Sequence, residues 1–139
     1  MIKSIQIAVT SQGLHSITRQ IESVVNESAI PSGLCTVFVQ HTSASLIIQE
    51  NADPSAKYDL ENWLNRLVKE NDPIYTHTLE GADDMPAHIK SALTATSIAI
   101  PIMHHKLVLG TWQGVYICDQ RHHAGVLNII SHLLNDAHI

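Results

Sequence analysis

Cysteine, basic residues and long apolar runs are all scarce in this chain of 139 residues. No apolar run approaches the length of a membrane span, and the first residues lack the unbroken apolar core of a signal peptide. The eight Lys and Arg are scattered and outnumbered by thirteen Asp and Glu, which argues against nucleic acid or an anionic membrane as the main partner. Cys35 and Cys118 lie in segments typical of strands, so we expect buried free thiols and a cytoplasmic protein.

What the chain does have is an apolar fraction of 45% and ten histidines. That apolar fraction is enough for a real core, and the length predicts a single domain over residues 1–139. No repeat, linker or low-complexity segment divides the chain. The net charge is −5 when the histidines are neutral, so the charge at mildly acidic pH depends on how many of them are protonated.

The pattern of apolar residues predicts an α+β fold with an antiparallel, sandwich-like sheet core and two to three helices. Strands are predicted over residues 5–9, 34–40, 46–48, 97–103, 107–109 and 115–118, and helices over 17–25 with Ser16 as cap, from Pro54 to near Lys69, and from Pro86. Asp53 before Pro54 is a typical start of a helix. Residues 104–106 are predicted to form a hairpin turn, although they lack the usual Gly or Asn. Residues 126–134 suit a helix by spacing and a strand by their β-branched content.

Residues 76–88 are rich in groups that bind metals. His77 ends one segment and His88 lies one turn into a helix, with carboxylates between them. Imidazole and carboxylate suit borderline divalent metals, but the spacing of the two histidines matches no local zinc signature. A solvated acidic loop with two exposed histidines is the alternative. His41 follows a strand, and a histidine at this position has three possible roles: a metal ligand, a base or a core histidine.

Two glycines flank Trp112 and Gln113 in a strand context. Glycine weakens a strand unless a bulge or a ligand needs the space. We therefore expect Gln113 to face a site and Trp112 to pack beneath it.

Three segments taken together resemble the secondary thiamine-phosphate synthase family (YjbQ-like). They are residues 41–46 continuing through 50–54 and 59–60, residues 83–90, and residues 109–114. The resemblance implies an α+β subunit assembled as a homotrimer, with His41, His77 and His88 gathered as a metal site. It also implies a weak thiamine-phosphate synthase activity, a transferase reaction that joins a pyrimidine diphosphate to a thiazole phosphate.

Under this resemblance the ligand is a small phosphorylated heterocycle and the cofactor is a divalent metal, with zinc preferred and magnesium possible beside a diphosphate. The catalytic assignments are Glu50, Asp59, Gln113 and Arg121, and the substrate-binding assignments are Thr42, Ser43, Asn51, Asp84, Thr111 and Trp112. Leu127 stands where the family tends to carry an arginine, so Arg121 is the best remaining cation for phosphate. The alternative function is a trimeric metal- or anion-binding protein without important catalysis.

Overall fold

The computed structural model describes residues 1–138 and contains strands, three α-helices and one short 3₁₀-helix. The strands are β1 (Ile2–Val9), β2 (Gly13–Ser16), β3 (Ser32–Val39), β4 (Ala44–Glu50), β5 (Ser97–Met103), β6 (Lys106–Leu107), β7 (Gln113–Asp119) and β8 (Gly125–Asn135). The helices are α1 (Thr18–Ser28), α2 (Pro54–Leu67) and α3 (Asp84–Leu93), and the 3₁₀-helix is Asp136–His138. Across the described residues no helix is both long and apolar enough to cross a membrane.

The strands form two antiparallel sheets. The five-stranded sheet has the order β1-β8-β3-β5-β6, and the three-stranded sheet has the order β2-β7-β4. Three helices and purely antiparallel pairing confirm the predicted α+β class. The trimer that the resemblance implies stays a prediction.

One apolar core lies between the two sheets and includes the buried face of α1 (Ile21, Val24 and Val25). The three-stranded sheet is covered on both faces, because Tyr116 and Cys118 of β7 turn toward α2 while Ile117 turns toward the core. Both cysteines are buried and free, as predicted.

The five-stranded sheet buries only its inner face, and its outer face is not covered by a helix of the described chain. We call this the outer sheet face. Its side chains are those of Ile2, Ser4, Gln6, Ala8, Leu34, Thr36, Phe38, Ser97, Ala99, Pro101, Met103, Val126, Asn128, Ile130, His132 and Leu134. These residues lie on β1, β3, β5 and β8 and include no Lys, Arg, Asp or Glu, whereas Lys106 of β6 pairs opposite Met103 at the edge of the sheet.

Most predicted elements form, and the differences have local causes. Residues 126–134 belong to a strand, β8, which pairs with both β1 and β3. Ser16 does not cap α1: it lies in β2, a strand that was not predicted, and the N-cap is Ile17. The hairpin at 104–106 forms with His104 and His105 at φ of 53° and 64°, so two non-glycine residues adopt the left-handed conformation.

Candidate metal centre

Two histidines and one aspartate meet at the start of α3. Nε2 of His77 lies 2.7 Å from Oδ2 of Asp84, and Nε2 of His88 lies 3.0 Å from the same oxygen. One ligand atom from each of the three residues lies within 4.8 Å of the others. The two imidazole rings meet edge to face, with centroids 5.3 Å apart. Three donor atoms of the types that zinc prefers thus converge on one point.

The backbone fixes the ring of His88. Its Nδ1 lies 3.0 Å from the carbonyl oxygen of Thr42, which only accepts hydrogen bonds, so Nδ1 carries a proton and donates it. In the neutral ring Nε2 then presents a lone pair to the Asp84 carboxylate, which also only accepts. That contact is favourable when a proton or a cation lies between the two atoms. A carbonyl on the far nitrogen is also how ligating histidines are usually oriented.

Asp84 is buried, with 6% of its surface exposed. Burial alone would raise the pKa of Asp84, but hydrogen bonds and positive charge from His77 and His88, when these rings are protonated at Nε2, hold it below its usual value. The carboxyl group is therefore an anion at neutral pH, which is the form that binds a cation.

The start of α3 is fastened to a loop that follows β7. Asp83, the N-cap of α3, accepts a hydrogen bond at 2.7 Å from the backbone N–H of His122. Asp84 and His88 lie one turn apart on α3, which brings both side chains to the same helix face. The two ligating groups on α3 are therefore held by regular helix geometry, and His77 reaches them from the preceding segment.

An open cavity of about 610 Å³ adjoins this cluster. Its walls include residues from the sequence-based assignments, namely His41, Thr42, Ser43, Asp84, His88 and Arg121. The remaining wall residues were missed, and they are Phe38, Val39, Gln40, Glu80 and Thr96. Backbone pairing at the end of β3 and just beyond it places part of this wall, because the N–H of Val39 donates to the carbonyl of Thr96 and the N–H of Gln40 donates to the carbonyl of Asn128. No local sequence signal marks this pairing.

The structure brings together two of the three histidines predicted as ligands, and it supplies Asp84 where His41 was expected. Nε2 of His41 accepts a hydrogen bond at 2.8 Å from the backbone N–H of Asn128. That nitrogen is therefore occupied, and His41 lies outside the group of converging donor atoms. A usable signal for Asp84 was present in the sequence, since its spacing of four residues from His88 puts both on one helix face.

Arg121 lines the cavity, and hydrogen bonds to Asp119 fix its position. Its backbone N–H and its Nε donate to Oδ1 of Asp119, at 3.2 and 3.4 Å. Asp119 is 1% exposed, and its Oδ2 has no hydrogen-bond partner among the described residues. The terminal nitrogens of Arg121 likewise have no partner there and remain available to a ligand.

The other predicted catalytic and substrate-binding residues lie away from the cavity. They are Glu50, Asn51, Asp59, Thr111, Trp112 and Gln113. The string Gly110–Gly114 is a turn that leads into β7, and Gln113 closes the turn because its Oε1 accepts from the N–H of Gly110 at 2.7 Å. Trp112 is 63% exposed, so the expectation that it packs beneath Gln113 is wrong. Gly114 is needed for a close approach, because a Cβ there would lie 2.9 Å from Cβ of Asn51.

The comparisons with known proteins agree on one family. The family model described as "UPF0047 protein YjbQ-like" matches residues 3–132. A UPF0047 protein of Synechocystis is 51% identical over 127 residues, which cover 91% of this chain and 86% of the relative. The UPF0047 protein YjbQ of Escherichia coli O157:H7 is 39% identical over 132 residues, 94% of this chain and 95% of the relative.

Solved structures share the fold. A conserved hypothetical protein of Thermus thermophilus superposes with a TM-score of 0.85 at 31% identity, covering 95% of this chain and 99% of its own. The matching family model and the names of these relatives mention no thiamine synthesis. The identification with a thiamine-phosphate synthase family is therefore wrong, and the predicted transferase activity is withdrawn with it.

Proposed function

The chain belongs to the YjbQ-like UPF0047 family, and we propose its function from the geometry of the candidate site. His77, Asp84 and His88 form a divalent-metal site of the catalytic type, which serves a small oxygen-bearing ligand in the adjoining cavity. Zinc is the preferred ion because two of the three ligands are imidazoles, whereas magnesium favours an all-oxygen shell.

One observation carries the proposal. Two Nε2 atoms face the same oxygen of Asp84 at 2.7 and 3.0 Å, while Nδ1 of His88 is held in its protonated form by the Thr42 carbonyl. A protonated His88 would satisfy both contacts as an ion pair. A metal would take the place of the Nε2 proton and would use the ring orientation that the Thr42 carbonyl fixes.

Three protein ligands leave a coordination position open, as catalytic zinc sites do and structural sites do not. His88 and Asp84 both line the cavity, so the open position is accessible from that side. A bound divalent ion would supply Lewis acidity to a ligand oxygen in the cavity. The side chains of Thr42, Ser43 and Arg121 would orient the ligand, and the buried Asp84 would keep the ion in place.

The experiment is a zinc titration by calorimetry on metal-free protein without a His-tag. We expect one ion for each chain, with affinity reduced by about 10-fold or more in Asp84→Asn and in His88→Ala. His123→Ala is the matched control, because it removes an exposed imidazole outside the cluster and should leave zinc affinity unchanged. Magnesium at millimolar concentration should not displace zinc.

Equal zinc affinity in wild type, Asp84→Asn and His88→Ala would contradict the proposal. So would a loss of affinity in His123→Ala that matches the loss in the cluster variants. Melting temperatures of all variants, measured without metal, separate loss of the site from loss of the fold.

A further inference from the structure

His41 and His88 both line the cavity and both form a hydrogen bond with the backbone, but they do so through different ring nitrogens. Its Nε2 lies 2.8 Å from the backbone nitrogen of Asn128, which can only donate. A neutral imidazole has one lone-pair nitrogen and one N–H, so accepting at Nε2 requires the proton to be on Nδ1. Nδ1 of His41 has no hydrogen-bond partner within residues 1–138, and it is not a buried unsatisfied atom.

We propose that His41 is a ligand-binding residue that donates its Nδ1–H to an oxyanion of the ligand, in the cavity that Arg121 also lines. The proposal deepens the proposed function, since it rests on the cavity being the ligand site. In this tautomer His41 has no lone pair left for a metal. The same ring therefore cannot complete the His77–Asp84–His88 group, and His41 is one of the residues that line the cavity.

The neighbours of His41 favour the neutral ring. Burial lowers the pKa of His41, the positive charge of Arg121 lowers it further, and Asp119 opposes them. Arg121 therefore lies close enough for its charge to act on the ring. Its terminal nitrogens are free while Asp119 fixes its Nε. A neutral N–H donor and a guanidinium that line the same cavity suit an anionic group with several oxygens.

The cavity charges also fit an anion once the cluster holds a cation. The acidic wall residues are Glu80 and Asp84, and Asp84 is directed at the two imidazoles. A phosphate group has enough oxygens to meet the metal site, Arg121 and His41 at once, whereas a carboxylate has only two. Phosphate and acetate are therefore the two arms of the test.

The experiment compares two variants, each of which keeps one of the two hydrogen-bonding roles of the His41 ring and removes the other. In His41→Gln the amide oxygen can replace Nε2 as acceptor for Asn128, but the Nδ1 donor is lost. In His41→Asn the amide nitrogen can replace the Nδ1 donor, but the acceptor is lost. We expect His41→Gln to weaken phosphate binding to the zinc-loaded protein by about 10-fold or more. Its melting temperature and zinc affinity should match those of wild type.

His41→Asn should show the reverse, with phosphate affinity within about threefold of wild type and a melting temperature lower by several degrees. Acetate should bind more weakly than phosphate and should be less sensitive to His41→Gln. Acetate binding as tightly as phosphate would assign the site to carboxylates and overturn the phosphate assignment.

A spectroscopic measurement tests the tautomer without any ligand. Nitrogen-15 NMR of the histidine rings should show His41 as the Nδ1–H form in both metal-free and zinc-loaded protein, and phosphate should shift that resonance. An Nε2–H form, an unshifted resonance, or loss of zinc affinity in His41→Gln would overturn the inference. If the wild type binds no zinc, the proposed function fails, and the tautomer of His41 in the metal-free protein, which needs no cation, still tests this inference.

Discussion

At the scale of single residues, the backbone assigns different chemistry to two identical rings. A carbonyl at Nδ1 of His88 leaves the Nε2 lone pair for a ligand, and an amide at Nε2 of His41 leaves the Nδ1–H for a ligand. One contact of about 3 Å in each case decides which atom each ring offers to the cavity. Side-chain identity alone carries no information about this choice.

The two buried thiols belong to the same scale and give a pH-dependent prediction. Burial raises the pKa of Cys35 to about 11 and that of Cys118 to about 12, from a usual value of 9.0. The folded state therefore keeps these protons when the unfolded chain has lost them. The resulting stabilisation is fully present below pH 9 and is lost as the pH rises toward the folded values.

We expect the free energy of unfolding to fall above pH 9, with each thiol contributing at most about 1.4 kcal/mol per pH unit. The measurement is urea unfolding at several pH values between 8 and 10.5, on wild type and on Cys35→Ala/Cys118→Ala. The double variant serves as the control, because other groups titrate equally in both proteins. If the free energy of unfolding changes equally with pH in the two proteins, the thiols ionise as readily in the folded protein as in the unfolded chain.

At the scale of elements, the hairpin between β5 and β6 has an unusual turn. His104 and His105 both have positive φ, where a side chain with a Cβ is strained. Two-residue hairpins of this kind favour Asn-Gly. The backbone N–H of His105 also donates to Pro31 at 3.1 Å, and this bond does not depend on the side chain.

The variant His104→Asn/His105→Gly should therefore stabilise the protein by about 1 kcal/mol, measured by urea unfolding at neutral pH. His105→Ala is the matched control, since it removes the imidazole but keeps the Cβ. If the control stabilises the protein as much as the double variant, the destabilisation comes from the imidazole of His105 and not from the backbone conformation.

The elements also show how far sequence reasoning extends. Helix α2 was predicted because its signals are local: Asp53 caps it by accepting from the N–H of Ser55 at 2.9 Å, and Pro54 follows. Strand β8 was not separable from a helix, because its spacing fits both and pairing with β1 and β3 decides between them. Element type can be predicted where the stabilising contacts lie within the segment, and not where they come from distant strands.

The candidate site follows the same rule. His77 and His88 were found as residue types in one short segment, and Asp84 was singled out with a different role. The contact that defines His41 joins atoms 87 residues apart in the chain. A contact of this range depends on the finished sheet, so residue types and spacing could not show that His41 is held as a donor.

At the scale of the whole molecule, the outer sheet face is the surface best suited to contact another protein chain. It spans four strands of the five-stranded sheet without a single Lys, Arg, Asp or Glu, and includes exposed Phe38 and Leu134. Exposed apolar side chains gathered on one surface often mark a protein interface. Phe38 also lines the cavity, so a second copy seated here would approach the candidate site.

We expect a homotrimer whose contacts include this face. Light scattering at micromolar concentration should give three times the chain mass of 15.3 kDa. Ile130→Lys, which puts a charge at the centre of the face, should reduce the assembly to a smaller species. Leu79→Lys is the control, because Leu79 is fully exposed outside the face. A monomer mass for the wild type, or equal dissociation by both variants, would contradict the expectation.

The position of β8 in the sheet has a consequence for how the chain is made. β8 lies between β1 and β3, and pairs Ile2 with His132, yet a ribosome synthesises it after all the other strands. Until then β1 and β3 each lack their shared neighbour, and their unpaired edges are open to association with other chains. Joining residues so distant in the chain is also slow. The sheet is therefore completed only after β8 has emerged from the ribosome, and the yield in a cell depends on how well nascent strand edges are shielded from one another.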